Sequence, residues 1–210
     1  MIEYIIYQNP DDRILKKACH FLEKEGLICL PTDTNWIIVA DPYKKDAVEK
    51  LYQLKKEEKK KHFSLLCDSI SRASEVAIIS DSCFKLLKRA IPGHYTFILK
   101  ASRDIQKVLK ASKTDHEIGL RFIPNKVVNK LIEMYNKPLL STNLTPELLD
   151  INEDDSVYST LIEESQISHF ISMIIDPDEI NFVGKSSIIS FVNNAPEVLR
   201  VGAGDISLFI

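Results

Sequence analysis

Short apolar, β-branched runs alternate along the chain with stretches whose apolar residues recur at helical spacing, so both strands and helices are predicted throughout. The densest pattern runs from Gly26 to Ala40. Here Leu27 to Leu30 and Trp36 to Ala40 read as buried strands flanking the polar knot Pro31-Thr32-Asp33-Thr34-Asn35. Pro31 offers no N–H, which predicts that the ladder breaks there. Upstream, Ile2 to Tyr7 reads as a first strand. Asn9-Pro10-Asp11-Asp12 opens a helix with Asn9 as N-cap, Pro10 at the first helical position and acids in the first turn. Leu15, Ala18, Cys19 and Leu22 form its inner face, and Gly26 ends it.

Beyond the knot, Asp41-Pro42 starts a second helix through Lys55, with Ala47, Val48, Leu51 and Leu54 facing inward. The polar run Lys55 to His62 separates it from a strand over Phe63 to Cys67. A helix follows over Asp81 to Ala90, stopped by Pro92-Gly93, then strands over His94 to Ala101 and Ile118 to Ile123. Asn125 to Tyr135 is helical, and the run Pro138 to Leu140 enters Ser141-Thr142-Asn143. Thr145 to Asp155 is acidic and irregular, a surface loop. A further helix and strands at Ile171 to Ile175, Ser187 to Val192 and Glu197 to Val201 complete the chain. Strands and helices alternate without strict βαβ regularity. This predicts an α/β (α+β) fold with one mixed sheet, a single domain over residues 1–210.

Composition narrows the function classes. Apolar residues make up 45% and charged residues 27% of the 210, ordinary for a soluble globular protein. No apolar run approaches the ~20 residues of a membrane span, and Glu3 and Pro10 interrupt the N-terminal run, so no signal peptide is read. Cys19, Cys29, Cys67 and Cys83 sit in apolar runs without a Cys-x-x-Cys pair, as expected of reduced thiols in a cytoplasmic protein. Net charge is −3, but residues 44–130 carry 20 Lys and Arg against 10 Asp and Glu, whereas the rest carries 7 against 20. A basic middle on an acidic chain points to a face for phosphates or nucleic acid. The plainer alternative is a set of Lys-rich helix surfaces.

Familiar motifs fail on inspection. Gly184-Lys185-Ser186 resembles the end of a phosphate-binding loop, but position 179 is glutamate and the next residues read as strand. Gly202-Ala203-Gly204 lacks the third glycine of a dinucleotide fingerprint, and Asp150-x-Asn152-x-Asp154 lacks the glycine and terminal acid of a calcium loop. The five histidines have no metal-ligand spacing. What remains is a set of polar residues at strand ends: Thr32, Thr34, Lys55, Thr96, Arg121, Ser141, Asn143, Ser186 and Arg200. Each alone reads equally as a cap, turn or surface charge. Together they supply hydroxyls, an amide and three cations, a set suited to a nucleotide whose chemistry is positioning and charge neutralisation.

The order of motifs resembles the YrdC/YciO family of threonylcarbamoyl-adenylate synthases and their relatives. Pro31-Thr32-Asp33-Thr34 resembles its opening motif, and Pro92-Gly93-His94-Tyr95-Thr96-Phe97-Ile98-Leu99 its Pro-Gly-Pro-x-Thr-x-Ile-Leu strand. Gly119-Leu120-Arg121 matches the strand with a binding arginine, and Ser141-Thr142-Asn143 the Ser-x-Asn signature. Ser186-Ser187-Ile188-Ile189 and Val198-Leu199-Arg200-Val201-Gly202 resemble the closing segments. The wording is nearest the YciO branch.

The resemblance implies a twisted mixed sheet flanked by helices, with a basic concave face. It implies binding of ATP or AMP with Mg2+, of L-threonine, and of double-stranded RNA or tRNA. Family synthases join threonine, bicarbonate or CO2, and ATP into threonylcarbamoyl-AMP for tRNA modification. Carried over by position, Lys55, Asn143 and Arg200 contact the nucleotide, and Thr32, Thr34, Arg121, Ser141 and Ser186 line the threonine end. Lys59, Lys60 and Lys61 are the expected RNA contacts.

Several positions depart from the pattern. Glu57 stands where synthases carry the arginine of Lys-x-Arg, which argues for weak or altered synthase chemistry unless neighbouring lysines compensate. Trp36-Ile37 replaces Tyr-Gly and is expected to narrow the space beside the knot. His94 replaces a proline, and Ser190 an aspartate. The alternatives are a competent synthase and a non-enzymatic duplex-RNA binder.

Overall fold

A computed structural model describes residues 1–54, 63–109, 116–178, 180–193 and 195–210. In chain order the elements are β1 (Ile2–Tyr4), α1 (Asp12–Glu23), β2 (Leu27–Pro31), β3 (Trp36–Ala40), α2 (Lys45–Leu54), β4 (Ser64–Leu66), α3 (Ile70–Val76), α4 (Asp81–Ala90) and β5 (Tyr95–Lys100). Then come α5 (Arg103–Leu109), β6 (Glu117–Arg121), α6 (Lys126–Tyr135), β7 (Leu139–Asn143), α7 (Pro146–Leu149), α8 (Ser159–Glu164), β8 (Ile171–Asp176), β9 (Ser187–Ser190) and β10 (Glu197–Arg200). Among the described residues the strands form one mixed sheet in the order β1-β8-β2-β3-β7-β4-β6-β5-β9-β10. The mixed sheet with flanking helices is the predicted class.

Local chemistry explains where the boundaries differ from expectation. Asp11, not Asn9, caps α1: its carboxylate accepts from the Arg13 N–H at 2.8 Å, which leaves Pro10 outside the helix. Helix α2 starts at Lys45 because Asp41 is engaged elsewhere. Its Oδ1 accepts from the Tyr43 N–H, and its Oδ2 accepts from the Tyr135 hydroxyl at 2.6 Å and from Lys137 at 2.8 Å. The β2–β3 ladder runs through Pro31, which pairs with Trp36 before the chain reverses over the next four residues. Helices α3, α5 and α7 are short and were not predicted.

The side-chain alternation of the strands sorts the core onto two faces. On the first face, Cys29, Trp36, Ile38, Leu65, Phe97, Leu120 and Ile189 pack with residues of α2, α4 and α8 such as Leu51, Leu87 and Ile162. On the second face, Leu15, Ala18 and Leu22 of α1 and Val128, Leu131 and Ile132 of α6 cover Ile28, Leu30, Ile37, Val39, Met173 and Ile175. Burying each such aliphatic side chain contributes roughly 1.5–3 kcal/mol. Among the described residues this second apolar cluster stops at Leu66 and Leu139. Farther along the same face stand Ser64, Ser141, Asn143, Gly119, Arg121 and Thr96, placed by the β4–β7, β4–β6 and β5–β6 registers. The sheet is therefore apolar where α1 and α6 lie on it and polar beyond them.

Candidate functional site

The polar part of the second face is built outward from the knot between β2 and β3. Thr32 closes that turn on itself. Its Oγ1 donates to the Asn35 carbonyl at 2.8 Å and accepts from the N–H groups of Thr34 and Asn35 at 3.1 and 3.2 Å. Asn35 pins the turn to the end of β7, with Nδ2 donating to the Leu144 carbonyl at 2.9 Å. Thr34 Oγ1 lies 3.3 Å from that of Thr32.

So held, the turn aims Asp33 across the sheet. Its Oδ1 accepts from Arg121 Nη2 at 2.8 Å, and its Oδ2 lies 2.7 Å from His94 Nδ1. The two acidic and guanidinium side chains are 4% and 6% exposed, so this ion pair is buried, while the His94 side chain keeps 33%. Burial pushes the Arg121 pKa down, Asp33 works in the opposite direction, and the like charge of Arg200 adds to the lowering. Arg121 Nε is buried without a hydrogen-bond partner.

A second set of contacts completes the face. Thr96 and Ser186 hydroxyls lie 2.9 Å apart. Arg200 clamps Ser186, donating from Nε and Nη2 to its carbonyl at 2.9 and 2.7 Å and from Nη2 to its hydroxyl at 3.1 Å. Ser141 donates to the Ser64 carbonyl at 2.9 Å. Gly119 sits between these groups, since a Cβ there would lie 3.0 Å from Ser64 Oγ and 3.3 Å from Thr96 Cγ2. Asn143 is exposed, two residues beyond Ser141 on the same side of β7. The result is a floor of glycine and hydroxyls with two guanidinium groups at its edge, chemistry suited to an anionic, oxygen-rich ligand.

Of the residues singled out in the sequence, Arg121, Thr96, Ser141, Ser186 and Arg200 share this face, with Asn143 at its edge. Thr32 shapes the turn, where its oxygen is taken up by backbone groups. Lys55, Glu57, Lys59, Lys60 and Lys61 lie outside the described residues. Trp36 does not narrow the site: its ring is buried on the first face, with Nε1 donating to the Val157 carbonyl at 3.0 Å, and Ile37 is the neighbour of Asn143. The sequence reading passed over Asp33 and His94 as site residues. The histidine in place of a proline was the available signal.

The described basic residues of the 44–130 stretch are dispersed. Arg72 pairs with Asp68, Lys130 with Asp12 and Lys45 with Glu49. Lys85, Lys88 and Arg89 are exposed on α4, against the first face. Gly184 adopts φ +91° and leads into β9, so no helix follows it as a phosphate-binding loop would require.

A family model described as Sua5_yciO_yrdC, telomere recombination, matches residues 20–202. The YciO protein of Escherichia coli (strain K12) is 28% identical over 211 residues, 99% of this chain and 98% of that protein. Its crystal structure superposes with a TM-score of 0.86 at 26% identity, covering 100% of this chain and 99% of that one. The putative threonylcarbamoyl-AMP synthase of Methanocaldococcus jannaschii is 24% identical over 202 residues, 94% of this chain and 91% of that protein. The fold is also shared, with a TM-score of 0.80 at 22% identity, by P. abyssi Sua5 in a crystal structure complexed with L-threonine, where 96% of this chain covers 57% of that one.

Proposed function

Because the chain belongs to the Sua5/YciO/YrdC family, we propose that its polar second face binds ATP and L-threonine and forms a threonylcarbamoyl adenylate from them and carbon dioxide or bicarbonate, slowly. The observation that carries this reading is the shared face of Ser64, Gly119, Thr96 and Ser141, with Arg121 on it and Arg200 joined to it through Ser186. Relatives named threonylcarbamoyl-AMP synthase and the threonine complex of P. abyssi Sua5 support the substrate class.

In this reading the α-phosphate docks against the guanidinium edge. The carbamate oxygen attacks phosphorus, and pyrophosphate leaves. Slowness follows from engagement of the cations: Asp33 already holds Arg121, Ser186 holds Arg200, and Glu57 takes the place of an arginine. Loss of one charge-assisted bond costs ~1.5–3 kcal/mol, or roughly 10- to 150-fold in rate. Among the described residues no group of three His, Cys, Asp or Glu side chains is placed to hold a metal ion, and both Asp33 oxygens are engaged. Mg2+ would enter as a companion of the nucleotide phosphates and supply charge neutralisation there.

Calorimetry with ATP tests the site. One-to-one binding weakened in Asn143→Ala is expected, and absence of ATP binding refutes the proposal. Pyrophosphate release that requires both threonine and bicarbonate tests the chemistry, and release indifferent to threonine refutes it. Duplex RNA is a second ligand under this reading, favoured by the exposed Lys85, Lys88 and Arg89. Its binding should fall steeply with salt and weaken when these three are changed to glutamine, while ATP binding is unmoved. Salt-independent binding would count against an RNA role.

A further inference from the structure

The mechanism above leaves one pair in the site without a part. Asp33 and His94 face each other at 2.7 Å, from elements 61 residues apart in the chain. A carboxylate can only accept, and Asp33 already accepts from Arg121, so the nitrogen that meets it, Nδ1, carries the hydrogen. In the neutral ring that leaves Nε2 as the nitrogen with a free lone pair. The Asp33 side chain is 4% exposed, whereas the His94 side chain keeps 33%. His94 stands in the bend just before β5, and its contact with Asp33, which also holds Arg121 of the second face, brings the ring to that face. The imidazole is fixed at one nitrogen by a buried carboxylate, on a ring that keeps access to solvent.

We infer that His94 is a proton acceptor for the amine of the bound amino acid, with Asp33 as its positioning residue. This rests on the amino-acid substrate proposed above. The ammonium group gives its first proton to water on docking. The neutral amine then uses its lone pair to form the N–C bond with carbon dioxide, one C=O π pair moves onto oxygen as the carboxylate, and the remaining excess proton on nitrogen passes to His94 Nε2. The product is a carbamate, ready to attack phosphorus, and an imidazolium held by the Asp33 carboxylate. Among the described residues, Arg121, which Asp33 holds, and Arg200 on β10 are charged groups of the facing elements. Lys185 is exposed on the segment before β9, and the Asp205 carboxylate, in the loop behind His94, is turned to Ser207.

Two measurements decide the matter. Long-range 1H–15N NMR of 15N-histidine protein, with the His94 signal identified by its loss in His94→Asn, reads the tautomer at a pH where the spectrum itself shows the ring to be neutral. The Nδ1–H tautomer is expected in the wild type and its loss in Asp33→Asn. An Nε2–H tautomer in the wild type overturns the inference. The second measurement is threonine-dependent pyrophosphate release across pH. His94→Asn keeps a donor toward Asp33 but has no second nitrogen base. It should lower kcat at least about 100-fold, leave the KM for ATP within about twofold, and abolish the acid limb of the profile. Turnover with an unchanged acid limb in His94→Asn overturns the role of His94 alone and leaves the proposed reaction standing. A wild type with the expected tautomer but no threonine-dependent release overturns the proposed reaction, and this role with it.

Discussion

Replacing Asp33 by asparagine isolates the contact on which the site is built. At 2.8 Å from Arg121 Nη2 and an effective dielectric of about 20, the attraction within the pair is about 6 kcal/mol. Desolvation of two side chains that are 4% and 6% exposed takes back much of it. The asymmetry is what the experiment reads. Asp33→Asn leaves Arg121 charged, buried and without its counter-ion, a change that costs about 3–5 kcal/mol. Arg121 Nε is already unpartnered, so the guanidinium has little else to turn to. For a domain of this size each 1 kcal/mol moves Tm by about 2–4 °C, so the variant should melt roughly 6–20 °C lower.

Urea titration at neutral pH gives the free energy, with an unchanged m-value confirming that the shift is one of stability. Asp33→Asn combined with Arg121→Met removes both charges and should recover at least about 2 kcal/mol relative to the sum of the single changes. Asp33→Asn within about 1 kcal/mol of the wild type, or strict additivity in the double variant, would refute the buried ion pair as the keystone of the knot.

Three further outcomes follow from the same coordinates. Gly202→Ala would set a Cβ 2.2 Å from the Lys185 carbonyl oxygen and 2.6 Å from the Ser186 carbonyl carbon, both backbone, so the β9–β10 junction must shift. Its urea midpoint should fall by an equivalent of about 1–3 kcal/mol, and an unchanged midpoint would show the junction to be looser than described. Asn143→Ala, at an exposed strand end, should change stability by no more than about 0.5 kcal/mol while weakening ATP binding; denaturant and calorimetric titrations of one preparation separate the two effects. Stability should also decline at alkaline pH. Burial raises the thiol pKa of Cys29 and Cys67, and that of Cys83 to about 12, above the usual value. The unfolded chain therefore releases protons that the folded state keeps, so stability holds below the ordinary thiol range and is lost above it, by at most about 1.4 kcal/mol per pH unit for each thiol. Urea midpoints at successive pH values should show a shallower decline when Cys29 and Cys67 are both alanine.

What could be read from the sequence was local in origin. The strands around the knot were legible because five consecutive buried residues in each of β2 and β3 leave an uninterrupted apolar run, and α4 because Ser80 caps it and the 3.6-residue pattern is complete. Helices α3 and α5 escaped because seven residues hold less than two full turns of periodicity, too little for an apolar stripe to repeat. The sequence reads Asn9 as the cap and Asp11 as a first-turn acid, whereas in the structure Asp11 is the cap: both are good caps, and only the fold decides which oxygen meets the first free N–H. The hydroxyls of the site were visible as polar residues at strand ends, where a core would otherwise continue.

Their centre was not visible, for a reason that also bears on function. Asp33 reads in sequence as a turn residue capping its own backbone, a role that in the structure falls to its neighbour Thr32. With the turn closed by a threonine, the carboxylate is released to serve partners 61 and 88 residues away, His94 and Arg121. No local pattern encodes such a pairing. It depends on β2–β3 and β5–β6 lying in one sheet, and so on every register between them. The same dependence makes the pair informative: a buried carboxylate with both oxygens engaged by cationic or proton-bearing groups costs stability unless those partners stay in place. The knot thus orients Arg121 and His94 toward the face where an anionic ligand and an amine would meet. That coupling predicts that ligand affinity and fold stability will move together when Asp33 is changed and separately when Asn143 is.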